Sequence, residues 1–563
     1  MITAITSRSQ AAGRRWWILA VLCLSVLLVV VDNTIVNVAL PTMSRTLSAS
    51  TQDLQWIVDA YTLLFAGLLI VGGNLGDRLG RRRVLQAGLA LFALTSVAAA
   101  LSRTTGELIA SRAAMGVAAA LIYPATLALL TNVFTDARER ATAIGIWSGV
   151  SGLAVAIGPV TGGLLLRHFS WSSVFYVNVP VVIVALAAGM RLLPESRDPQ
   201  AGRFDPLGAL LSVGGIGLLV WTVIEAPRHG WASATTIAGF AGSLLILAAF
   251  VGWQLRRPDP MLDVRLFTNP RFTAASGAIA LAFFGLFGFI FLITQYFQVV
   301  RSYDPLRAGV ATLPFALVTG LVSPAAIALM KRAGTKAVVT AGLVLMSAGF
   351  LVAAGTAADS AYWGKIITSM TLIAAGLALT ASPATEAIMG ALPPAKAGAG
   401  SAVNDTTREL GGTLGVAIIG SVMSSAYSSH VLTALSKIGA PAALTSAAQQ
   451  SVVAGLHAAA YLPAALRGVA ATAARQAFMS GLHSGSLVAA GATAVAAVAT
   501  LAFLPARVRQ PVPARPVSAP PVSARPVSAP PASAPPAPAR PALVQPAPAR
   551  QPSAPQPASA HEC

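Results

Sequence analysis

The stretch Gly73-Asn74-Leu75-Gly76-Asp77-Arg78-Leu79-Gly80-Arg81-Arg82-Arg83 joins two long apolar runs. A fainter copy, Arg332-Ala333-Gly334-Thr335-Lys336, joins two more such runs later in the chain. Both read Arg-x-Gly-x-basic, and both fall between the second and third spans of a six-span half. A charged, glycine-broken turn repeated at equivalent places points to a membrane protein built from two related halves. Such halves rock about a site near the bilayer midplane.

The composition agrees. Of 563 residues, 55% are hydrophobic and only 10% charged, which is too apolar for a soluble fold of this length. The net charge of +19 raises the alternative of nucleic-acid binding. The basic residues are scattered over short loops and a tail, however, so they read as charges that set membrane orientation, and no nucleic-acid partner is expected. Cys23 and Cys563 lie in the first span and at the last residue, so neither a disulfide nor a metal framework follows. The first apolar run is too long for a cleavable signal.

Fourteen apolar segments can be drawn, each near the ~20 residues that a helix needs to cross the hydrocarbon. The first is 16–40, and the last two are 399–424 and 483–504. With the N-terminus inside, Lys and Arg concentrate on the inner segments whether or not the tail is counted, so both termini are expected in the cytoplasm. The expected organisation is an N-terminal segment 1–15, a six-helix bundle 16–200, two linker helices in 201–256, a second six-helix bundle 257–505, and a tail 506–563. The second bundle includes an external segment 425–482, read as a candidate for short helices over the outer mouth. The tail is rich in Pro, Ala and Ser, cannot bury a core, and is expected to be disordered with polyproline character.

Asp32 lies deep in the first span, within Val31-Asp32-Asn33-Thr34-Ile35-Val36-Asn37. A carboxylate there is costly, so it is expected to face a wet cavity or a partner, and it is a candidate proton site. Asn33 and Asn37 share a face beside it. Asp59, with Trp56 and Tyr61 close by, suits a flat cationic ligand, although an interfacial aromatic belt explains Trp56 nearly as well. Arg112 in the fourth span needs an acid. That pair either separates during a transport cycle or is a permanent structural bond. In the fifth span, Gly158-Pro159 and Gly162-Gly163 clear a face for close helix approach and bend the helix. In the thirteenth, Asp405, Arg408 and Glu409 stand three and four apart and can interact on one face; Glu409 falls near mid-membrane. Glu386 and Lys365 are weaker candidates. No phosphate-binding Gly-x4-Gly-Lys-Ser/Thr loop, metal-spaced cluster or nucleophile elbow is present, so no cofactor, metal or catalytic residue is expected.

These blocks resemble the major facilitator superfamily, and within it the fourteen-span drug/proton antiporter branch typified by the EmrB/QacA group. Gly73 to Arg82, with Asp77, Arg78, Gly80 and Arg81, is similar to the family's loop after the second span. The resemblance implies a latch at the cytoplasmic ends in the outward-facing state. Asp32 to Pro41 resembles the first-span block whose acid is implicated in proton coupling. Arg112-Gly116 and Gly158 to Gly163 resemble the fourth-span block and the fifth-span antiporter block, with Met115 where glutamine is common. Phe204 to Gly208, Pro305 to Gly309 and Asn404 to Gly420 resemble further blocks. Trp171-Ser172-Ser173 departs from the usual Trp-Arg-Trp, and 308–330 holds no acid, which favours neutral or singly charged lipophilic substrates.

The fold implied is an all-α polytopic membrane protein of the major facilitator type, two six-helix halves plus two inserted helices. The implied function is proton-coupled export of lipophilic compounds across a bacterial cytoplasmic membrane, by a monomer that is not an enzyme. Proton coupling would run through Asp32, Arg112 and Glu409. The substrate cavity would be lined by Asn33, Asn37, Trp56, Asp59, Tyr61, Asp405 and Arg408. The alternatives are a dedicated exporter of one cellular product, an uptake symporter, and a sensor or scaffold that uses the external segment and tail.

Overall fold

A computed structural model describes residues 2–197, 204–391 and 397–505. The tail 506–563 lies outside the described residues. Fourteen described helices are long and apolar enough to cross a bilayer. Spans 1 to 6 are Arg14–Thr46, Thr51–Leu79, Arg81–Leu101, Thr105–Val133, Arg138–His168 and Ser173–Leu192. Spans 7 and 8, Pro206–His229 and Ala234–Arg256, are the inserted pair. Spans 9 to 14 are Pro270–Val300, Pro305–Ala333, Thr335–Ala354, Tyr362–Gly390, Gly400–Lys437 and Ala464–Phe503.

The repeated glycine turns are tighter than their sequence suggests. Gly73 and Gly76 stay helical, and span 2 runs to Leu79 before Gly80, at φ +114°, turns the chain into span 3. Gly334, at φ +85°, does the same between spans 10 and 11. Each turn is thus one residue in a conformation that suits glycine because it has no Cβ. The first is tied to the end of span 6: the Arg81 amide donates to Ser196 O at 2.9 Å, Arg82 Nη2 to Met190 O at 2.6 Å, and Arg83 meets Glu195 at 3.5 Å. Asp77 pairs with Arg81 at 2.8 Å, and Arg78 is exposed.

Within each half, matched helices approach through glycine. Span 5 lies on span 1 where Gly158 and Gly162 face Thr34 and Ile35; span 13 lies on span 9 where Gly411 and Gly415 face the carbonyls of Ala280 and Phe284. Spans 1 and 5 in one half answer spans 9 and 13 in the other. Between the halves there are again two matched seams, span 2 on span 13 and span 5 on span 10. The 5–10 seam is reciprocal: Gly163 abuts the backbone of Pro305 and Leu306, and Gly309 abuts Pro159 O. A Cβ at Gly163 would sit 2.6 Å from Leu306 Cα.

Both seams lie toward the end that carries the turn between spans 1 and 2. Gln298 Nε2 of span 9 donating to Val38 O of span 1 at 2.8 Å lies there as well. Toward the opposite end, Gly145, Gly149 and Gly152 of span 5 and Gly320 of span 10 face open space.

The linker between the two long helices, 438–463, falls inside the expected segment 425–482. Span 13 stays helical to Lys437 and span 14 begins at Ala464. Two short helices, Ala442–Gln450 and Val452–Ala460, lie between them. The helices outrun their apolar cores because Ala-rich sequence remains helical beyond the length the hydrocarbon requires.

The inserted pair is clasped at its base. Asp205 accepts from Gly208 N at 2.9 Å, Trp253 Nε1 at 3.0 Å and Gln254 Nε2 at 2.8 Å, with Arg257 at 3.8 Å.

Candidate functional site

Asp32 and Arg112 find each other. Arg112 Nη1 donates to Asp32 Oδ2 at 2.5 Å, and both side chains are fully buried. Of the two surroundings expected for Asp32, the partner rather than the wet cavity is present. Asn178 Nδ2 at the start of span 6 donates to Asp32 Oδ1 at 2.8 Å and lies 3.3 Å from Ser96 Oγ of span 3. Arg112 Nε donates to Ile57 O at 3.1 Å, and its guanidinium lies 4.2 Å from the Tyr61 ring centroid. Tyr61 in turn donates to Val29 O at 3.3 Å. Five helices of the first half therefore hold one ion pair. Such a pair is costly to break by removing one member, because the other is left charged in a dry interior.

Asn178 and Ser96 were not among the expected site residues. The available signal was Asn178 itself, an amide inside the apolar run Val177-Asn178-Val179-Pro180.

The second charged group lies on span 13. Arg408 Nη2 is 3.4 Å from Glu409 Oε1, 3.5 Å from Tyr123 Oη of span 4, and its guanidinium is 5.5 Å from the Phe283 ring. Arg408 thus reaches from one half to the other. Glu409 is buried and its Oε2 has no hydrogen-bond partner. Asp405 and Arg408 are half-buried. Asp405 Oδ1 lies 3.5 Å from Asn404 Nδ2.

An aromatic ladder joins the two charged groups. Tyr61–Phe65 centroids are 5.9 Å apart, Phe65–Tyr123 5.7 Å and Tyr123–Trp147 5.4 Å. One end of the ladder carries Arg112 and its Tyr123 rung carries Arg408. Phe65, Tyr123 and Trp147 are buried, and none was marked by sequence, because they come from spans 2, 4 and 5 at positions that only the fold aligns.

Other expected residues fall elsewhere. Trp56 packs with Leu63, Val220, Val223, Ile224 and Ala417, against spans 7 and 13 rather than in a cavity; a broad apolar ring is served better there than beside charge. Asp59 is fully buried, and neither carboxylate oxygen meets a donor among the described residues. Asn37 Nδ2 donates to Asn33 O at 3.1 Å, and Asn33 Oδ1 is buried without a partner. Lys365 is exposed at a helix start, donating to Gly355 O at 2.8 Å, and Glu386 is exposed.

Comparison with known proteins accords with this architecture. The sequence profile of the Major Facilitator Superfamily matches residues 22–416. The multidrug efflux pump LfrA of Mycolicibacterium smegmatis is 40% identical over 468 residues, 82% of this chain and 91% of that protein. The methyl viologen resistance protein SmvA of Salmonella typhimurium is 38% identical over 425 residues, 74% of this chain and 84% of that protein. A bacterial homolog of the human lysosomal transporter Spinster, solved inward-facing and unoccupied, superposes with a TM-score of 0.59 at 19% identity, covering 87% of this chain and 98% of that one. The repeated halves, the inserted pair and the profile match over most of the chain place it together: this protein belongs to the Major Facilitator Superfamily.

Proposed function

We propose that the chain is a proton-coupled antiporter that exports lipophilic drugs or toxic compounds across the bacterial cytoplasmic membrane. It works as a monomer, with both termini in the cytoplasm and no enzymatic chemistry. The observation that carries this reading is the fully buried Asp32–Arg112 pair in a half whose seams to the other half close toward the end that carries the turn between spans 1 and 2. In this orientation the shut end faces outward.

The division into a 16–200 bundle, a 201–256 linker pair and a 257–505 bundle supplies the two rocking bodies. A lipophilic molecule enters from the cytoplasm and settles between them near Asp405 and Arg408. When the halves rock, the Asp32–Arg112 pair loosens. Asp32 takes a proton from the outer side and gives it up inside, with Glu409 as the second carboxylate. Each proton moving down the potential supplies about 2.3 kcal/mol per 100 mV, enough for roughly fiftyfold concentration of an uncharged substrate. The relative named for multidrug efflux supports the substrate class.

A dedicated exporter is the second reading, favoured by 35% identity over 425 residues to the tetracenomycin C resistance and export protein of Streptomyces glaucescens. Both readings meet one experiment, accumulation of a panel of dyes in energised inverted vesicles, with and without an uncoupler. Uncoupler-sensitive accumulation of several unrelated dyes is expected. Accumulation of none would remove the multidrug reading, and accumulation that ignores the uncoupler would remove proton coupling.

A further inference from the structure

Spans 2 and 13 are joined by a polar seam in the half of the membrane where the molecule is shut. Gln52 Nε2 lies 3.4 Å from Ser424 Oγ. Gln55 Nε2 reaches Ala417 O at 2.9 Å, Val416 O at 3.2 Å and Ser421 Oγ at 3.3 Å. Thr413 Oγ1 donates to Thr62 Oγ1 at 3.0 Å. The helices run antiparallel, and residues 52, 55, 59 and 62 of span 2 fall on one face at spacings of three, four and three. Asp59 is therefore the one seam position of the four whose side chain has no counterpart. The antiparallel register brings Val416 and Ala417 opposite it, neither of which offers a side-chain donor, while Gly420 faces Gln55.

No charged group of the packed helices serves it. Arg112 of span 4 gives Nη1 to Asp32 of span 1 and Nε to Ile57 O, and its Nη2, buried without a partner, does not reach either Asp59 oxygen. Arg408 of span 13 lies on Glu409 and Tyr123, with Asp405 a turn further on. Glu225 of span 7 pairs with Arg228. Tyr61, two residues along, donates to Val29 O. An ionised carboxylate shut into this seam would have neither water nor donor, a cost that the neighbouring neutral pairs do not offset.

We propose that Asp59 is a proton-operated catch on the seam between spans 2 and 13, neutral when the seam is shut and ionised when it parts toward the outer solution. The proton is taken from, and returned to, water on that side. Asp59 thus positions the gate without adding to the proton flux that drives transport. External acid then holds the exporter shut to the outside, and external alkali favours the open gate. The inference rests on the alternating-exporter reading with this end outward.

The test measures the gate alone. In the full chain with Cys23→Ser and Cys563→Ser, Ser421→Cys places a thiol in the shut seam, and Ser446→Cys places one on the exposed external segment as a reference for the intrinsic pH dependence of labelling. Right-side-out vesicles are treated with a membrane-impermeant maleimide from acid to alkaline pH. The Ser421→Cys to Ser446→Cys rate ratio is expected to rise with pH by up to about tenfold per unit, the limit for release of one proton. Asp59→Asn is expected to make the ratio low and flat, and Asp59→Ser, a second neutral form, to do the same should the first not reach the membrane. Asp59→Glu should restore the rise. A rise that survives in the neutral variants, or a flat ratio in the parent, overturns the catch while leaving coupling through Asp32 untouched. A seam thiol that never reacts at any pH overturns both the catch and the alternation beneath it.

Discussion

Asp32→Asn separates the structural role of the buried pair from its proposed role in coupling. The amide has almost the size of the carboxylate, so the surrounding helices need not move. Its single oxygen can still accept from Arg112 Nη1, now 2.5 Å from Asp32 Oδ2, while the amide nitrogen replaces Oδ1 and no longer accepts from Asn178 Nδ2, now at 2.8 Å. What disappears is the countercharge to a guanidinium with no exposed surface. Removing one member of a buried pair costs about 3–5 kcal/mol. The retained hydrogen bond returns about 1 kcal/mol, and the Ile57 carbonyl and Tyr61 ring stay in place. A net loss of about 2–4 kcal/mol leaves a domain of ordinary stability folded. Transport should fare worse, because an amide in that position carries no proton. The driving term of about 2.3 kcal/mol per 100 mV then vanishes, and a roughly fiftyfold accumulation should fall to equilibration. The assay is dye accumulation in energised inverted vesicles containing equal amounts of inserted protein. Wild-type, uncoupler-sensitive accumulation in Asp32→Asn would refute the assignment.

Other substitutions probe the remaining parts. Gly163→Leu forces side-chain carbons against the Pro305–Leu306 backbone, so it should part spans 5 and 10; cross-linking of cysteines placed across that seam should fall, and export with it. Gly80→Ala asks an alanine to adopt φ +114° beside the Glu195 carboxylate, at about 1–3 kcal/mol, and should lower the melting temperature without changing substrate preference. Asp205→Ala leaves Gly208 N, Trp253 Nε1 and Gln254 Nε2 without their acceptor and should cost about 2 kcal/mol or more, read as a lower melting temperature. Burial acts to raise the Asp205 carboxyl, but these donors and Arg257 outweigh it and hold the group below the ordinary carboxylate value. Its contribution is therefore complete above about pH 4 and lost as pH falls through the lower folded value, so the gap between wild type and Asp205→Ala should be constant near neutrality and close in strong acid.

The number of helices and the halves were legible because hydropathy and loop charge act locally along the chain. So were the glycine turns, since few residues other than glycine tolerate the φ that Gly80 and Gly334 adopt. The individual charges were legible too, because Asp32, Arg112 and Glu409 stand out against apolar surroundings. Their pairing was not. Nothing near Asp32 in sequence points to residue 112, and Asn178 and Ser96 are ordinary polar residues until four helices bring them together. The aromatic ladder was hidden for the same reason, each of Phe65, Tyr123 and Trp147 reading as one more apolar side chain. Trp56 misled because proximity to Asp59 along a helix is not proximity across its faces. Asp59 itself was conspicuous, yet only the register of spans 2 and 13 distinguishes a seam from a cavity.

The exchange of drug for proton is tested most directly by proton release on substrate binding to the purified protein in weakly buffered detergent, followed with a pH dye. Binding of an exported dye to wild type should release protons, and Asp32→Asn should bind the same dye with less release. Binding without any proton release in wild type, from mildly acid to mildly alkaline solution, would contradict the exchange on which the proposed cycle depends.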